Sequence, residues 1–124
     1  IANDYFPLGT GFGTYGSYIS GKEYSPVYQL YNINDVWGIQ KDNPSFISDS
    51  FWPMILGQFG YIGAILYLLS ILLIFKKIQE EYSIQNKYIY ISKIMALAYL
   101  MISSTSESAF VNPMAIALAI VLAI

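Results

Sequence analysis

Hydrophobic and polar positions divide this chain into long blocks instead of alternating along it. From Phe51 to Phe75 there is no charged residue. A helix of about 25 residues rises roughly 37 Å, enough to cross a ~30 Å hydrocarbon core with room for tilt. Lys76 and Lys77 end the block sharply, and a polar stretch follows to about Lys87. A second apolar run extends from Tyr88 to Thr105, interrupted only by Lys93. A third begins after Asn112-Pro113 and is still apolar at Ile124. Pro113 suits the first turn of a helix, where its missing N–H has no partner to lose. From Met114 onward about 11 residues reach only about 16 Å, so this helix is expected to continue past Ile124. With Ile1 in place of a Met, the chain reads as a piece of a longer protein.

The pattern predicts an all-α, multi-pass transmembrane protein with a large outer loop. Residues 1–50 form an extracytoplasmic loop with short helices, and 51–75 a transmembrane helix. Residues 76–88 form a cytoplasmic loop, 89–106 a second transmembrane helix, 107–112 a short outer loop, and 113–124 the start of a third span. Lysine placement supplies the direction. The stretch Lys76–Lys93 carries four Lys against Glu80 and Glu81, a balance of +2. Residues 1–50 carry Lys22 and Lys41 against Asp4, Glu23, Asp35, Asp42 and Asp49, a balance of −3. Basic residues are enriched on the cytoplasmic side, so 1–50 is expected outside. Trp52 at one end of the first span and Tyr88 and Tyr90 near the other boundary fit interfacial aromatic belts.

Composition agrees with a membrane setting and narrows the chemistry. The hydrophobic share is 56%, and only 11% of residues are charged, against about a quarter in soluble domains. A net charge of −2 with no Arg leaves no basic stripe for nucleic acid. The absence of His and Cys removes zinc sites of the usual kind, thiol nucleophiles and His-based triads from this stretch.

Two carboxylates are candidates for chemistry. Asp49 precedes the first span at its outer end. Glu107 lies 14 residues beyond Lys93, about 21 Å along a helix, near the outer interface. It sits among Ser103, Ser104, Thr105, Ser106 and Ser108. An acid at membrane depth is a functional-site hypothesis by default; the structural alternative is a water-facing acid between two helices. The Gly-spaced run Pro7–Gly16 can bring backbone N–H groups close to phosphate oxygens, or can simply form tight turns. It lacks the Gly-Lys-Ser/Thr ending of a Walker A loop and the βαβ setting of a Rossmann fingerprint. Aromatics crowd the first 50 residues, among them Tyr15, Tyr28 and Trp37. They suit a half-wet membrane surface or stacking on sugar rings. Gly57, Gly60 and Gly63, three residues apart, favour close packing against a neighbouring helix.

The ordered combination of Pro7-Leu8-Gly9-Thr10-Gly11-Phe12-Gly13-Thr14-Tyr15-Gly16-Ser17, Tyr24-Ser25-Pro26-Val27-Tyr28, Trp37-Gly38, Ser48-Asp49-Ser50-Phe51-Trp52-Pro53, Gly57-Gln58-Phe59-Gly60-Tyr61-Ile62-Gly63 and Ser106-Glu107-Ser108-Ala109-Phe110 resembles the C-terminal part of the bacterial O-antigen and capsular polysaccharide polymerase and ligase superfamily. The likeness covers most of residues 7–115. It implies a glycosyltransferase-C-like fold in the bacterial cytoplasmic membrane, joining undecaprenyl-diphosphate-linked oligosaccharides on its outer face. It also implies no cofactor and no essential metal. The ligase branch is marked by a His in the large outer loop. Asp49 and no His in the matching region favour the polymerase, with the ligase and a polytopic transporter or flippase as alternatives. The Arg residues that hold diphosphate in this family are expected upstream. The expected site residues are Asp49 and Glu107 for catalysis, and Gly11, Gly13, Tyr15, Tyr28 and Trp37 for substrate binding. Expected partners are the lipid-linked glycan, the bilayer, the rest of the same polytopic protein and a chain-length regulator, with no nucleic acid.

Overall fold

A computed structural model describes residues 1–83 and 86–123. Ile84 and Gln85, within the expected cytoplasmic loop, and Ile124, in the expected start of the third span, lie outside the described residues. The chain is mostly helical, with no strand among the described residues. Helices α1 (Tyr18–Lys22), α2 (Pro26–Leu30), α3 (Phe51–Glu80), α4 (Lys87–Ser103) and α5 (Pro113–Ala123) are joined by 3-10 turns at Glu81–Ser83 and Ala109–Val111. It divides into two compact units, Ile1–Ile65 and Leu66–Ile124, and α3 runs through both.

Local sequence explains where the helices start. Ser17 caps α1 in a reciprocal box with Ser20: its Oγ accepts the Ser20 N–H while the Ser20 Oγ accepts the Ser17 N–H. Ser25 caps α2, with Pro26 at the first helical position. The Asn86 side chain accepts the Tyr88 N–H at 3.0 Å. Asn112 receives the Met114 N–H at 3.2 Å ahead of Pro113. Helix α3 does not stop at Phe75 but continues through Lys76, Lys77 and Glu80. Lys76 lies 3.6 Å from Glu80, and Lys77 lies 4.0 Å from Glu81, each four residues on. Such pairs support a helix only by a few tenths of a kcal/mol. Lys and Glu are nonetheless good helix formers, so the charge boundary is not a helix boundary.

In the first unit, Phe51, Met54, Ile55 and Gln58 are buried, a spacing of three, four and seven residues that lies on one helical face. They form the core with Val27, Tyr28 and Ile47. In the second unit, Lys93, Ala96, Leu97 and Leu100 repeat that spacing on α4, which packs on α5. Lys93 keeps only 3% side-chain exposure, and its Nζ sits 2.8 Å from Glu81 Oε2.

Helix α3 is broken inside its apolar run. Gly60 has φ 61° and ψ −161°, a region that only glycine occupies freely. In an unbroken helix the carbonyls of Gly57 and Gln58 would receive the N–H groups of Tyr61 and Ile62. Here they receive Thr10 N–H at 2.8 Å and Gly11 N–H at 2.9 Å, while Ile62 N–H donates to the Pro7 carbonyl at 3.3 Å. The three-residue glycine spacing thus admits the chain's own loop. A β-carbon on Gly60 would lie 2.7 Å from the Leu8 carbonyl carbon, and one on Gly57 would strike the Tyr15 ring. Near Gly63 the first obstacle is Phe59 of the same helix.

Two stability predictions follow from these contacts. Gly60→Ala should destabilise the first unit by at least about 2 kcal/mol, the strain of that backbone region plus a backbone collision. Limited proteolysis in detergent reads this as faster cleavage within residues 1–50, and unchanged cleavage would refute it. In the second unit, Glu81→Gln leaves the Lys93 ammonium buried without its anion and should lower stability by roughly 2 kcal/mol. Adding Lys93→Met should restore most of the loss in thermal unfolding, as burying an unpaired charge is the larger penalty.

Candidate functional site

Backbone demands of the break organise the first unit. Gln58 is an amide in an otherwise apolar stretch, exposed by only 2%, and a buried amide is costly unless its donors and acceptor are met. Its Oε1 accepts the Gly13 N–H at 2.8 Å, and its Nε2 donates to the Tyr15 carbonyl. The Thr10 hydroxyl donates to the Gly57 carbonyl at 2.9 Å. Glycines 9, 11, 13 and 16 all have positive φ. The N–H groups of Gly11 and Gly13 are donated inward to Gln58, and that of Gly16 goes to the Tyr28 hydroxyl at 2.9 Å. The Gly-spaced run is therefore a set of turns around Gln58, and at Gly11 and Gly13 the N–H groups are taken by the fold itself. In the sequence Gln58 stands within a Gly-bearing motif, and a carboxamide among apolar helix positions is the signal that it needs partners.

The aromatic residues separate into buried and exposed groups. Tyr28 is only 1% exposed. Its hydroxyl meets Ser20 Oγ at 2.7 Å, and its ring lies 5.8 Å from Tyr15 and 5.5 Å from Tyr24. It is a core residue with a satisfied hydroxyl. Tyr15 is half-buried over Gly57, and burial pushes its phenol up, with a smaller push from Tyr28. Trp37, by contrast, is 71% exposed and lies 5.0 Å from the Phe46 ring. Of the five expected substrate-binding residues, Gly11 and Trp37 are exposed, and Trp37 alone presents an exposed ring.

Trp37 belongs to a lobe that ends at the start of α3. Gly38, at φ 80°, leaves space for Phe46, whose Cε2 would lie 2.9 Å from a β-carbon there. The Phe46 N–H donates to the Gly38 carbonyl at 2.8 Å, and the Asp49 N–H closes a turn on the Phe46 carbonyl at 3.3 Å. The chain thus links the Trp37–Phe46 pair to Asp49, whose residue is exposed. Tyr24 fastens the lobe by donating its hydroxyl to the Ile39 carbonyl at 3.0 Å. Its phenol is raised by desolvation first, then by Tyr28 and the nearby Asp35 and Asp42. An exposed indole, an exposed carboxylate and an acidic surround can bind a polar, ring-containing acceptor and accept a proton from its hydroxyl.

Glu107 lies in the second unit. It is exposed in the turn after α4, with its N–H on the Ser103 carbonyl at 2.9 Å and its own carbonyl receiving Ala109 N–H at 2.9 Å. The hydroxyls around it cap the end of α4: Ser104 Oγ donates to the Met101 carbonyl at 2.8 Å and Thr105 Oγ1 to the Ile102 carbonyl at 2.7 Å. They satisfy carbonyls that a helix terminus leaves open. Among the described residues, no group of three or more acidic side chains could hold a metal ion.

One side-chain tie bears on pH. Tyr31 donates its hydroxyl to Asp4 Oδ2 at 2.6 Å. That bond, with lesser desolvation and charge effects, pushes the Tyr31 phenol up to about 12, and the same bond, aided by the N-terminal ammonium, holds Asp4 below the usual carboxylate range. A raised phenol stabilises the fold fully below the unfolded value near 10, and the contribution is lost as pH climbs through about 12. A depressed carboxylate contributes above about 3.9 and is lost as pH falls through its folded value. Ultraviolet titration should therefore show one fewer late-ionising tyrosine in Tyr31→Phe. Asp4→Asn should return Tyr31 toward its ordinary range; an unshifted late titration would refute the tie.

Comparison with protein-family models, with curated proteins and with solved structures found no match to this chain.

Proposed function

We propose that this chain is part of a multi-pass enzyme of the bacterial cytoplasmic membrane that polymerises undecaprenyl-diphosphate-linked oligosaccharide repeat units on the outer face. The supporting membrane feature is α3, the one helix among the described residues long and apolar enough to cross a bilayer; only 17% of its apolar window is buried within the chain, unlike the core helix of a soluble protein. Helix α5 is shorter, and although it packs on α4 none of its residues is fully buried; the apolar residues left exposed suit lipid or further helices of the same protein. The observation that carries the transferase reading is the lobe of exposed Trp37 and exposed Asp49 at the N-terminal end of α3, in the motif order that resembles the polymerase superfamily.

In this reading the acceptor sugar stacks on Trp37, and its hydroxyl faces Asp49. The hydroxyl oxygen attacks the anomeric carbon of the lipid-linked donor, and the bond from that carbon to the phosphate oxygen breaks. The electron pair leaves with undecaprenyl diphosphate, and the hydroxyl proton passes to the Asp49 carboxylate. The diphosphate is already a good leaving group, so most of the acceleration comes from holding donor and acceptor together. Glu107 lies in an exposed turn and not inside a helix, which supports a role at a water-facing surface over a cation site at mid-membrane depth. The fold needs Tyr15, Tyr28, Gly11 and Gly13 to hold the lobe in place, and they act on substrate through it.

In the full-length protein, Asp49→Asn and Glu107→Gln should each lower polymerisation about a hundredfold, the usual contribution of a positioned acid or base. Trp37→Ala should lower it by about tenfold, matching loss of one aromatic contact. Gel profiles of surface polysaccharide should shift to single repeat units while the protein still accumulates in the membrane. Normal chain lengths with both carboxylates replaced would overturn the assignment.

A further inference from the structure

The loop that repairs the α3 break carries an unusual surface. Phe6, Leu8 and Phe12 are exposed, Phe12 by 84%. They adjoin Phe59, Tyr61 and Ile62, themselves exposed, on either side of Gly60. The rings pair across the clamp: Phe6 lies 5.8 Å from Tyr61, and Phe12 lies 6.0 Å from Phe59. No charged residue occurs from Tyr5 to Gly21 or from Phe51 to Phe75, so both sides of the clamp are charge-free. Nearby polar groups are partnered: the Tyr61 hydroxyl donates to Asn3, and Asp4 is tied to Tyr31.

Distance along the helix places this surface. From Lys76 back to Gly60 is about 24 Å of helical rise, whereas a hydrocarbon core is about 30 Å thick. Gly60 then falls roughly 6 Å inside the hydrocarbon edge, and the loop bonded to Gly57, Gln58 and Ile62 lies at the same level. Irregular backbone there is tolerated only where its polar groups are satisfied by protein. The exchange of N–H and carbonyl groups between Pro7–Gly11 and Gly57–Ile62 meets that requirement. An aqueous cap has no need of three exposed apolar side chains on one short loop, and a bare apolar patch facing water favours association.

We propose that the Tyr5–Phe12 loop is a membrane-inserted wedge. Phe6, Leu8 and Phe12, with Phe59, Tyr61 and Ile62, contact the acyl chains of the leaflet at the N-terminal end of α3. The inference rests on α3 being a membrane span, as in the reading above, and not on polymerase activity. It sets the depth of the lobe: the Trp37–Asp49 segment sits above a seated wedge, at the level where a lipid-linked sugar meets water.

The chain contains no cysteine, so single labels are unambiguous. Nitroxide labels at Phe12→Cys, Leu8→Cys, Gln29→Cys and Leu69→Cys would be placed in the full chain, reconstituted in phosphatidylcholine–phosphatidylglycerol vesicles. Collision with molecular oxygen, which enters hydrocarbon, is compared with collision with a water-soluble nickel chelate. Positions 8 and 12 should resemble position 69, with an oxygen-to-nickel ratio several-fold above that of position 29. If 8 and 12 match position 29, the loop stands in water and the wedge is refuted. If they are shielded from both reagents, protein covers the surface, and the wedge is refuted equally. If position 69 itself shows no oxygen preference, the span falls and the wedge with it. A lipid-exposed position 69 beside a water-exposed position 12 overturns the wedge alone.

Discussion

The exchange of backbone hydrogen bonds around Gly60 is the constraint on which the first unit depends. A helix broken at one residue loses pairs on both sides of the break, and each unpaired group away from water costs about 1–3 kcal/mol. The loop supplies the missing partners: Thr10 and Gly11 donate to the two carbonyls before the break, and Pro7 accepts from Ile62 after it. Gly9 and Gly60 must both lack side chains, because a β-carbon on Gly9 would lie 2.7 Å from the Gln58 carbonyl. Gln58 extends the clamp from backbone to side chain by seizing Gly13 and the Tyr15 carbonyl. Tyr15 and Gly16 then fix Tyr28, and Tyr28 fixes Ser20. Order passes from the break to the core in a short series of named contacts.

This arrangement separates the residues that hold the fold from those left to meet a ligand. Tyr28 is fully committed inside, while the Trp37 ring stands outside on Phe46. Asp49 is reached by the turn that begins at Phe46 and ends two residues before α3. A packed core beneath and an exposed aromatic and acid above is the division that positioning of a ligand requires. In the second unit the logic differs. Lys93 sits on the buried stripe of α4, so Glu81 in the turn after α3 carries its counter-charge. The ion pair fixes the register of that turn more than it adds net stability.

Much of the helical content was legible in the sequence, because apolar runs and caps are local signals. Pro113 and the charge-free block at Phe51 mark the helix starts where the structure has them. Helix ends were less legible. Lys76 and Lys77 signal a change of solvent, whereas the helix follows backbone propensity and runs on to Glu80; α4 likewise ends at Ser103, where hydroxyls cap its carbonyls. The break at Gly60 was illegible for a further reason. Hydropathy does not encode φ, and the three-residue glycine spacing reads equally as a seat for a helix or for a loop. Which it is depends on residues about 50 positions away in sequence. For the candidate site, residue type marks Trp37 and Asp49 as candidates, while their exposure is read from the structure. The burial of Tyr28, and the inward donation by Gly11 and Gly13, came only from tertiary structure.

Gln58 joins these levels. A carboxamide in an apolar helix is a burden in water and a larger one in hydrocarbon, where no solvent can satisfy it. It is retained here because it does what a Leu in its place could not: it binds a donor and an acceptor of the loop at once, so the loop can leave its turns without orphaning either group. A glycine that breaks the helix and an amide that recruits the loop are each unfavourable alone. Two positions apart, they give a closed hydrogen-bond exchange with an apolar outer surface. That pairing allows irregular backbone to lie beside a long apolar helix while the Asp49 carboxylate stays exposed and free of the clamp.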